Sequence, residues 1–240
     1  MEIKPYHAEE AKKSQVSRMF NRIAPYYDFL NHLLSLGIDR YWRKKAISML
    51  GNGEFPHILD IATGTADVAI TLNKYYPQSI ITGLDISVEM LAIGREKIST
   101  KGLSPLITLL EGDSENIPFP DNHFDAVTVA FGVRNFENLD KGIKEMQRVL
   151  KNEGKLVVLE FSQPDFFLFK FLFNFYFKYI LPLIGRLTSK DPRAYQYLYE
   201  SVQAFPSGDK FLDALGKNGF KPIKCTPLTF GICSAYLAEK

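Results

Sequence analysis

Three acids stand where apolar runs end. Asp60 follows Ile58-Leu59, Asp85 closes Ile80-Ile81-Thr82-Gly83-Leu84, and Asp113 comes soon after Thr108-Leu109-Leu110. A short apolar run ending in an acid reads as a buried parallel strand with its carboxylate at the sheet's carboxyl edge. Between the first two acids lies Ala62-Thr63-Gly64-Thr65-Ala66, a turn of small residues, and Val68-Ala69-Ile70 then opens a helical pattern. At that edge of a doubly wound sheet, such a turn lets a nucleotide-like ligand lie against the backbone, because no branched Cβ stands in the way. An acid at the end of the second strand can accept from both hydroxyls of a ribose, which is the position of Asp85. Asp113 can accept from an exocyclic amine such as that of adenine, and Ser114 adds a backbone N–H for a ring nitrogen. Taken singly, Asp113 and Ser114 also suit a plain turn; alongside Thr65 and Asp85 they favour a ligand.

These side chains need a frame. Strands are expected near 57–61, 80–84, 106–110, 125–131 and 155–161, with helices near 67–75, 87–100 and 138–150. This alternation argues for a parallel sheet covered on both faces. Ser87 is placed to cap the helix after the second strand, with Glu89 in its first turn. Ser207 is expected to cap a last helix reaching about Asn218, before two strands near 221–226 and 231–237. Their short connection allows only an antiparallel pair. Ahead of the sheet, Ala8 to Phe20 reads as a helix broken at Pro25. A second helix around Phe29 to Leu36 stops at Gly37, and Asp39 can cap a third, Arg40 to Leu50. The 240 residues thus form one α/β domain: a helical cap (1–52), a ligand-binding core (53–161), an aromatic insertion (162–206) and a closing helix with antiparallel strands (207–240).

A hydrophobic content of 46% suits a folded protein, and a net charge of +2 with no dense Lys/Arg block argues against a nucleic-acid partner. Cys225 and Cys233 make neither a disulfide framework nor a metal spacing, and read as reduced thiols. The start, Met-Glu-Ile-Lys-Pro, is no apolar signal, which places the expectation in the cytoplasm.

The chain resembles the S-adenosylmethionine-dependent methyltransferases, and within them the ubiquinone/menaquinone biosynthesis C-methyltransferases, the demethylmenaquinone methyltransferase family. The resemblance rests on Arg18-Met19-Phe20-Asn21-Arg22-Ile23-Ala24-Pro25-Tyr26-Tyr27-Asp28, Asn31-His32-Leu33-Leu34-Ser35 and Asp39-Arg40-Tyr41-Trp42-Arg43. It continues through Leu59-Asp60-Ile61-Ala62-Thr63-Gly64-Thr65-Ala66-Asp67, Ile117-Pro118-Phe119-Pro120-Asp121, Phe131-Gly132-Val133-Arg134-Asn135-Phe136 and Glu160-Phe161-Ser162-Gln163-Pro164. The small-residue turn is common to methyltransferases at large; the N-terminal block and the Phe-Gly-Val-Arg-Asn segment are far more specific. The turn departs from the glycine-richer general pattern at Ala62, Thr63 and Ala66. Alanine fits there if its φ stays negative.

The resemblance implies a class I Rossmann-like fold, a seven-stranded sheet with its last strand antiparallel and N-terminal helices added. It implies S-adenosyl-L-methionine as donor, held by Thr65 and Asp85, with Asp113 and Ser114 at the adenine. Asp60 would orient the turn or accept from the methionine amine, Gly64 would admit the methionine portion, and Ala130 would lie beneath the transferable methyl. The reaction implied is C-methylation of a prenylated quinol, most directly demethylmenaquinol to menaquinol, with the benzoquinol step of ubiquinone synthesis as a second substrate. Such chemistry needs alignment, a route for the phenolic proton and a cation near the oxygen. No clear base stands out among His32, His57 and His123, of which only His32 falls in the family-like block. Arg134, beside Asn135, is the candidate cation; it is no base at ordinary pH, and its alternative is a structural ion pair. Tyr26, Tyr27 and Asp28 are candidates for a wall over the ring, and Tyr26, Tyr27 and Asn135 are the candidate substrate-binding residues.

The stretch Phe166 to Ile184 approaches the length of a membrane span, yet Lys170, Asn174 and Lys178 recur every four residues until Pro182 ends the pattern. A polar stripe amid aromatics suits a helix lying on a surface. The expectation is a cover over the substrate pocket that admits a polyprenyl tail and touches the inner membrane face peripherally; a homo-oligomer stays open. Three alternatives remain at this point. A nicotinamide-dependent oxidoreductase lacks here its three spaced glycines. The others are a non-catalytic nucleotide-binding subunit and a methyltransferase for a different lipophilic or phenolic acceptor.

Overall fold

The computed structural model describes residues 3–7, 9–164, 166–180 and 191–240. Its centre is a seven-stranded sheet in the order β3-β2-β1-β4-β5-β7-β6. The strands are β1 His57–Ile61, β2 Ile80–Asp85, β3 Ile107–Glu111, β4 Phe124–Ala130, β5 Leu150–Phe161, β6 Lys221–Leu228 and β7 Cys233–Glu239. The first five run parallel to one another, whereas β7 is antiparallel to both β5 and β6. The strand order reverses beside β1, with β2 on one flank and β4 on the other, and ligands bind at the carboxyl ends there.

Alternate strand residues face opposite layers. Ile58, Ala126, Val157 and Leu159 pack with Trp42 and Ile47 of α2 (Ile38–Ser48), with Val68 and Leu72 of α3 (Asp67–Tyr75), and with Leu91 of α4 (Val88–Thr100). Leu59, Val127, Val129 and Val158 pack with Ile143 and Met146 of α5 (Leu139–Val149) and with Phe211 of the helix Asp209–Lys217. A third cluster joins α1 (Lys12–Leu34), Phe173 of α6 (Phe167–Phe175) and Tyr197 of the helix Pro192–Ala204. It lies over Met90, and so caps the carboxyl edge.

Three local expectations are corrected. Pro25 does not break the first helix but sits inside α1. A proline costs an interior helix about 3 kcal/mol, but Ile23 and Ala24 before it and Leu30 beyond it are all buried in the third cluster, while Pro25 itself is exposed. Asp39 does not cap α2, because Gly37, left-handed at φ 75°, takes that place; the Asp39 carboxylate accepts instead from Ser35 Oγ at 2.7 Å and pairs with Arg43 at 2.9 Å. Gly208, at φ 65° and ψ −135°, replaces Ser207 at the start of the last helix, a conformation open to glycine alone. Ser87 does cap α4, accepting from the Met90 amide at 3.3 Å.

Candidate active site

The turn after β1 is pinned from three sides. Asp60 is buried and accepts from Thr63 Oγ1 at 2.6 Å and Thr128 Oγ1 at 2.7 Å, which ties β1, the turn and β4 together. Burial raises its carboxyl to about 7, against the pull of those two hydroxyls. The Thr63 amide donates to the Leu84 carbonyl at 3.1 Å, and the Gly64 amide to Asp85 Oδ2 at 2.8 Å. Held this way, Ala62, Gly64 and Ala66 all take positive φ, at 53°, 56° and 66°. The sequence reading required negative φ of the alanines; the structure overturns it. Each left-handed alanine costs about 1–2 kcal/mol, a strain that persists where surrounding bonds over-determine the backbone and that clusters at functional sites.

This turn floors a slot at the sheet edge. Ala62, Gly64, Asp85, Asp113, Ser114 and Ala130 all line it, with Leu84, Ile86 and Met90 as its apolar side. A Cβ added at Gly64 would meet nothing within 4 Å, so the turn presents open space to a ligand. Asp85 also accepts from the Ser87 amide at 2.9 Å; burial raises its carboxyl, and those N–H groups oppose the rise. Lys13 of α1 closes the far end, donating to Asp113 Oδ2 at 2.6 Å, and the slot as it stands measures about 70 Å³. Backbone approach at a small turn, a ribose-type acid and an acid with an adjacent N–H beside an apolar patch match an adenosyl group in chemistry, and the slot must widen to take one. Lys13 must turn off Asp113 for an amine to reach that oxygen.

Beyond the slot lies a chamber of about 450 Å³ with a predominantly apolar lining. The two share Phe20, Tyr27, Phe131 and Asn135. Phe131, left-handed at φ 59°, sets its ring 4.8 Å from that of Phe161. Arg134 lines the chamber; its guanidinium donates to Glu160 Oε1 at 2.7 Å and to the Phe131 carbonyl at 2.5 Å, and lies 5.5 Å from the Phe161 ring centre. Glu160 is fully buried; burial raises its carboxyl, and Arg134 opposes that rise. Both readings of Arg134 therefore meet in one residue: it is ion-paired, and it faces the chamber. Its Nε and the Asn135 Oδ1 are buried without a hydrogen-bond partner, an unusual state for such groups.

Other candidates fall elsewhere. Tyr27 walls both spaces, with its phenol raised by burial against the pull of Arg134; Tyr26 is exposed and lines neither. The Thr65 hydroxyl points away from the slot, donating to Asp28 Oδ1 at 2.6 Å and accepting from Lys97 Nζ at 3.0 Å. Asp28 thus anchors α1 to the turn rather than walling a ring. His32 lines neither space and holds Asp39 through Nδ1 at 2.8 Å. Glu160 was missed as a functional residue, although it is an acid ending an apolar strand, the same signal that marked Asp60 and Asp85. Lys13 had no such signal.

The fold and site define a class I methyltransferase. Two solved structures share the architecture: a SAM-dependent methyltransferase from Aquifex aeolicus (TM-score 0.61, 20% identity, covering 82% of this chain and 88% of that one) and a SAM-dependent methyltransferase, possible histamine N-methyltransferase, from Thermotoga maritima (TM-score 0.66, 19% identity, 93% and 99%). The profile of the ubiE/COQ5 methyltransferase family matches residues 8–240. A demethylmenaquinone methyltransferase of Bacteroides fragilis is 49% identical over 99% of this chain and 97% of its own length. A ubiquinone/menaquinone biosynthesis C-methyltransferase of Geotalea daltonii is 46% identical over 95% and 97%. The chain belongs to the ubiE/COQ5 methyltransferase family. The expected fold, enzyme class and S-adenosyl-L-methionine donor agree with these relationships, and the nicotinamide-dependent and non-catalytic alternatives fall away.

Proposed function

We propose that this protein methylates a ring carbon of a prenylated quinol, demethylmenaquinol to menaquinol, with S-adenosyl-L-methionine as donor. The observation that carries this reading is the shared wall: a slot edged by Asp85, Asp113 and the Gly64 turn abuts a 450 Å³ apolar chamber across Phe20, Tyr27, Phe131 and Asn135. A flat, lipid-tailed ring suits that chamber, and the names of the relatives point to the naphthoquinol. The benzoquinol step fits the same walls.

When bound, the donor supplies a methyl group already activated on a sulfonium. The chain's own part is placement and charge. Asp85 holds the ribose, Asp113 and Ser114 the adenine, and the turn at Gly64 the methionine portion, with Ala130 at the shared end. Asp60 works through the turn, by fixing Thr63 and Thr128, and Thr65 by fixing Asp28 of α1 above it. Arg134 and Asn135 both line the chamber; their Nε–H and Oδ1 lack partners but are buried, so a phenolic oxygen reaches this donor and acceptor once the ring seats and the wall shifts. Ordered there, the phenol passes its proton to a water, with Asn135 acting only as a hydrogen-bond acceptor, and the guanidinium stabilises the phenolate. Anionic oxygen raises electron density at the ring carbon to be methylated. Tyr27, held in its phenol form by burial, packs against the ring and excludes water.

The reading includes peripheral membrane contact through residues 166–184, of which 166–180 fall within the described residues; Pro182 does not. Phe173 and Tyr176 turn into the chamber, whereas Phe167, Phe171, Phe175 and Tyr179 form an exposed row at four-residue spacing. Lys170 and Lys178 are exposed, but Asn174 turns inward and accepts from Gln203 at 3.1 Å. No helix among the described residues is long and apolar enough to cross a membrane. Incubating the purified protein with a demethylmenaquinol and methyl-labelled donor tests the function. Label in a quinol one methyl heavier is expected; an unlabelled quinol pool alongside a methylated simple phenol would overturn the choice of acceptor.

A further inference from the structure

The chamber's mouth is built from a part of the chain that the catalytic reading leaves unused. The C-terminal half of α1 carries Tyr26, Phe29 and Leu33 on one outward stripe, at a spacing that helical periodicity puts on one face. All three are exposed, Phe29 by 63%. The stripe runs on through Leu36, 85% exposed at the turn, to Ile38 and Tyr41 of α2. Leu36 and Ile38, with Phe230 at 68% exposure, also line the chamber, so the apolar tip and the chamber's rim are one surface. An exposed apolar patch of this kind marks an interaction site.

Charge says what covers it. Arg40, Lys44 and Lys45 on the outer face of α2 are exposed and form no ion pair among the described residues. The only acids between residues 21 and 50 are Asp28 and Asp39, and both turn inward, to Lys97 and to Arg43 and His32. An apolar tip with an unopposed cationic collar is the composition of an interfacial membrane element, and clustered Lys/Arg add attraction to anionic headgroups.

The geometry points to the α1–α2 turn as the element that seats this protein on an anionic bilayer, with the chamber mouth opening into lipid. The lipid-soluble acceptor then slides from the bilayer past Leu36, Ile38 and Phe230 without crossing water. This deepens the proposed function and rests on its acceptor chamber; the α1–α2 turn is the principal seat, and the aromatic row at 167–179 is a secondary contact.

The test is cosedimentation of the full chain with vesicles of phosphatidylglycerol and phosphatidylcholine, without acceptor. Three double variants are compared with wild type: Phe29→Glu/Leu33→Glu, Arg40→Glu/Lys44→Glu and, on the other element, Phe171→Glu/Phe175→Glu. Wild type is expected to partition onto the vesicles, and the first two variants to lose about tenfold or more of that partition. All the substituted side chains are exposed, and matching melting temperatures confirm folding. Both α1–α2 variants should keep wild-type turnover on a short-tailed, water-soluble quinol; that assay fails for wild type itself only if the acceptor reading is wrong. Wild type remaining in the supernatant, or loss of binding confined to the 171/175 variant, overturns the docking assignment.

Discussion

The Gly64 amide donates to Asp85 Oδ2 at 2.8 Å, so the strained turn after β1 and the acid closing β2 are one unit. Asp85 therefore both shapes the turn and faces the slot. Asp85→Ala is expected to weaken donor binding roughly 10- to 100-fold, as the loss of hydrogen bonds to a charged group implies. Calorimetry with S-adenosylhomocysteine measures it; affinity within twofold of wild type would remove Asp85 from the donor site.

Arg134 holds Glu160 from inside the chamber wall. Arg134→Lys keeps the charge but loses the planar fork that spans Glu160 and the Phe131 carbonyl. Turnover is expected to fall about 100-fold, with donor affinity unchanged. Rapid single-turnover measurement separates the two; an unchanged rate would leave Arg134 a structural ion pair only.

Asp60 makes stability depend on pH. Its folded carboxyl titrates near 7 against an ordinary 3.8, so it holds its proton to a higher pH than the unfolded chain does. Its contribution is full below about pH 4 and is lost as pH rises through 7, a change of a few kcal/mol at this burial. Asp60→Asn removes that dependence. The melting temperature of the variant relative to wild type should rise by roughly 5 °C or more between pH 5 and pH 8; a constant difference contradicts the buried-acid account.

Lys13 occupies the Asp113 oxygen assigned to adenine. Both side chains are about 30% exposed, so the pair is worth about 1 kcal/mol or less. Lys13→Met should tighten donor binding by up to about fivefold. Weaker binding in the variant would mean that Lys13 itself contacts the donor.

Much of this was readable in the residues. Strands β1 and β2 announced themselves because buried parallel strands are near-continuous apolar runs, and the acids at their ends fell at the sheet edge. Ser87 was readable because its cap is local. Pro25 misled because burial on both sides of it outweighs a local cost. Asp39 misled because its partners, His32, Ser35 and Arg43, meet it only once α1 and α2 fold against each other. The left-handed alanines were hidden for the same reason: bonds from Asp85 and Leu84 of β2, and from Asp60 once Thr128 of β4 fixes it, hold a conformation that alanine alone resists. The direction of Thr65 depends on Asp28 and Lys97, both distant in sequence.

The central claim is that one slot holds the donor against the chamber that holds the acceptor. A crystal structure with S-adenosylhomocysteine and a short-tailed menaquinol measures this most directly. The account predicts ribose on Asp85, adenine beside Asp113 and Ser114, and a quinol ring against Tyr27 and Asn135 with an oxygen at Arg134. Donor product outside the slot, or a quinol bound away from the shared wall, would contradict it.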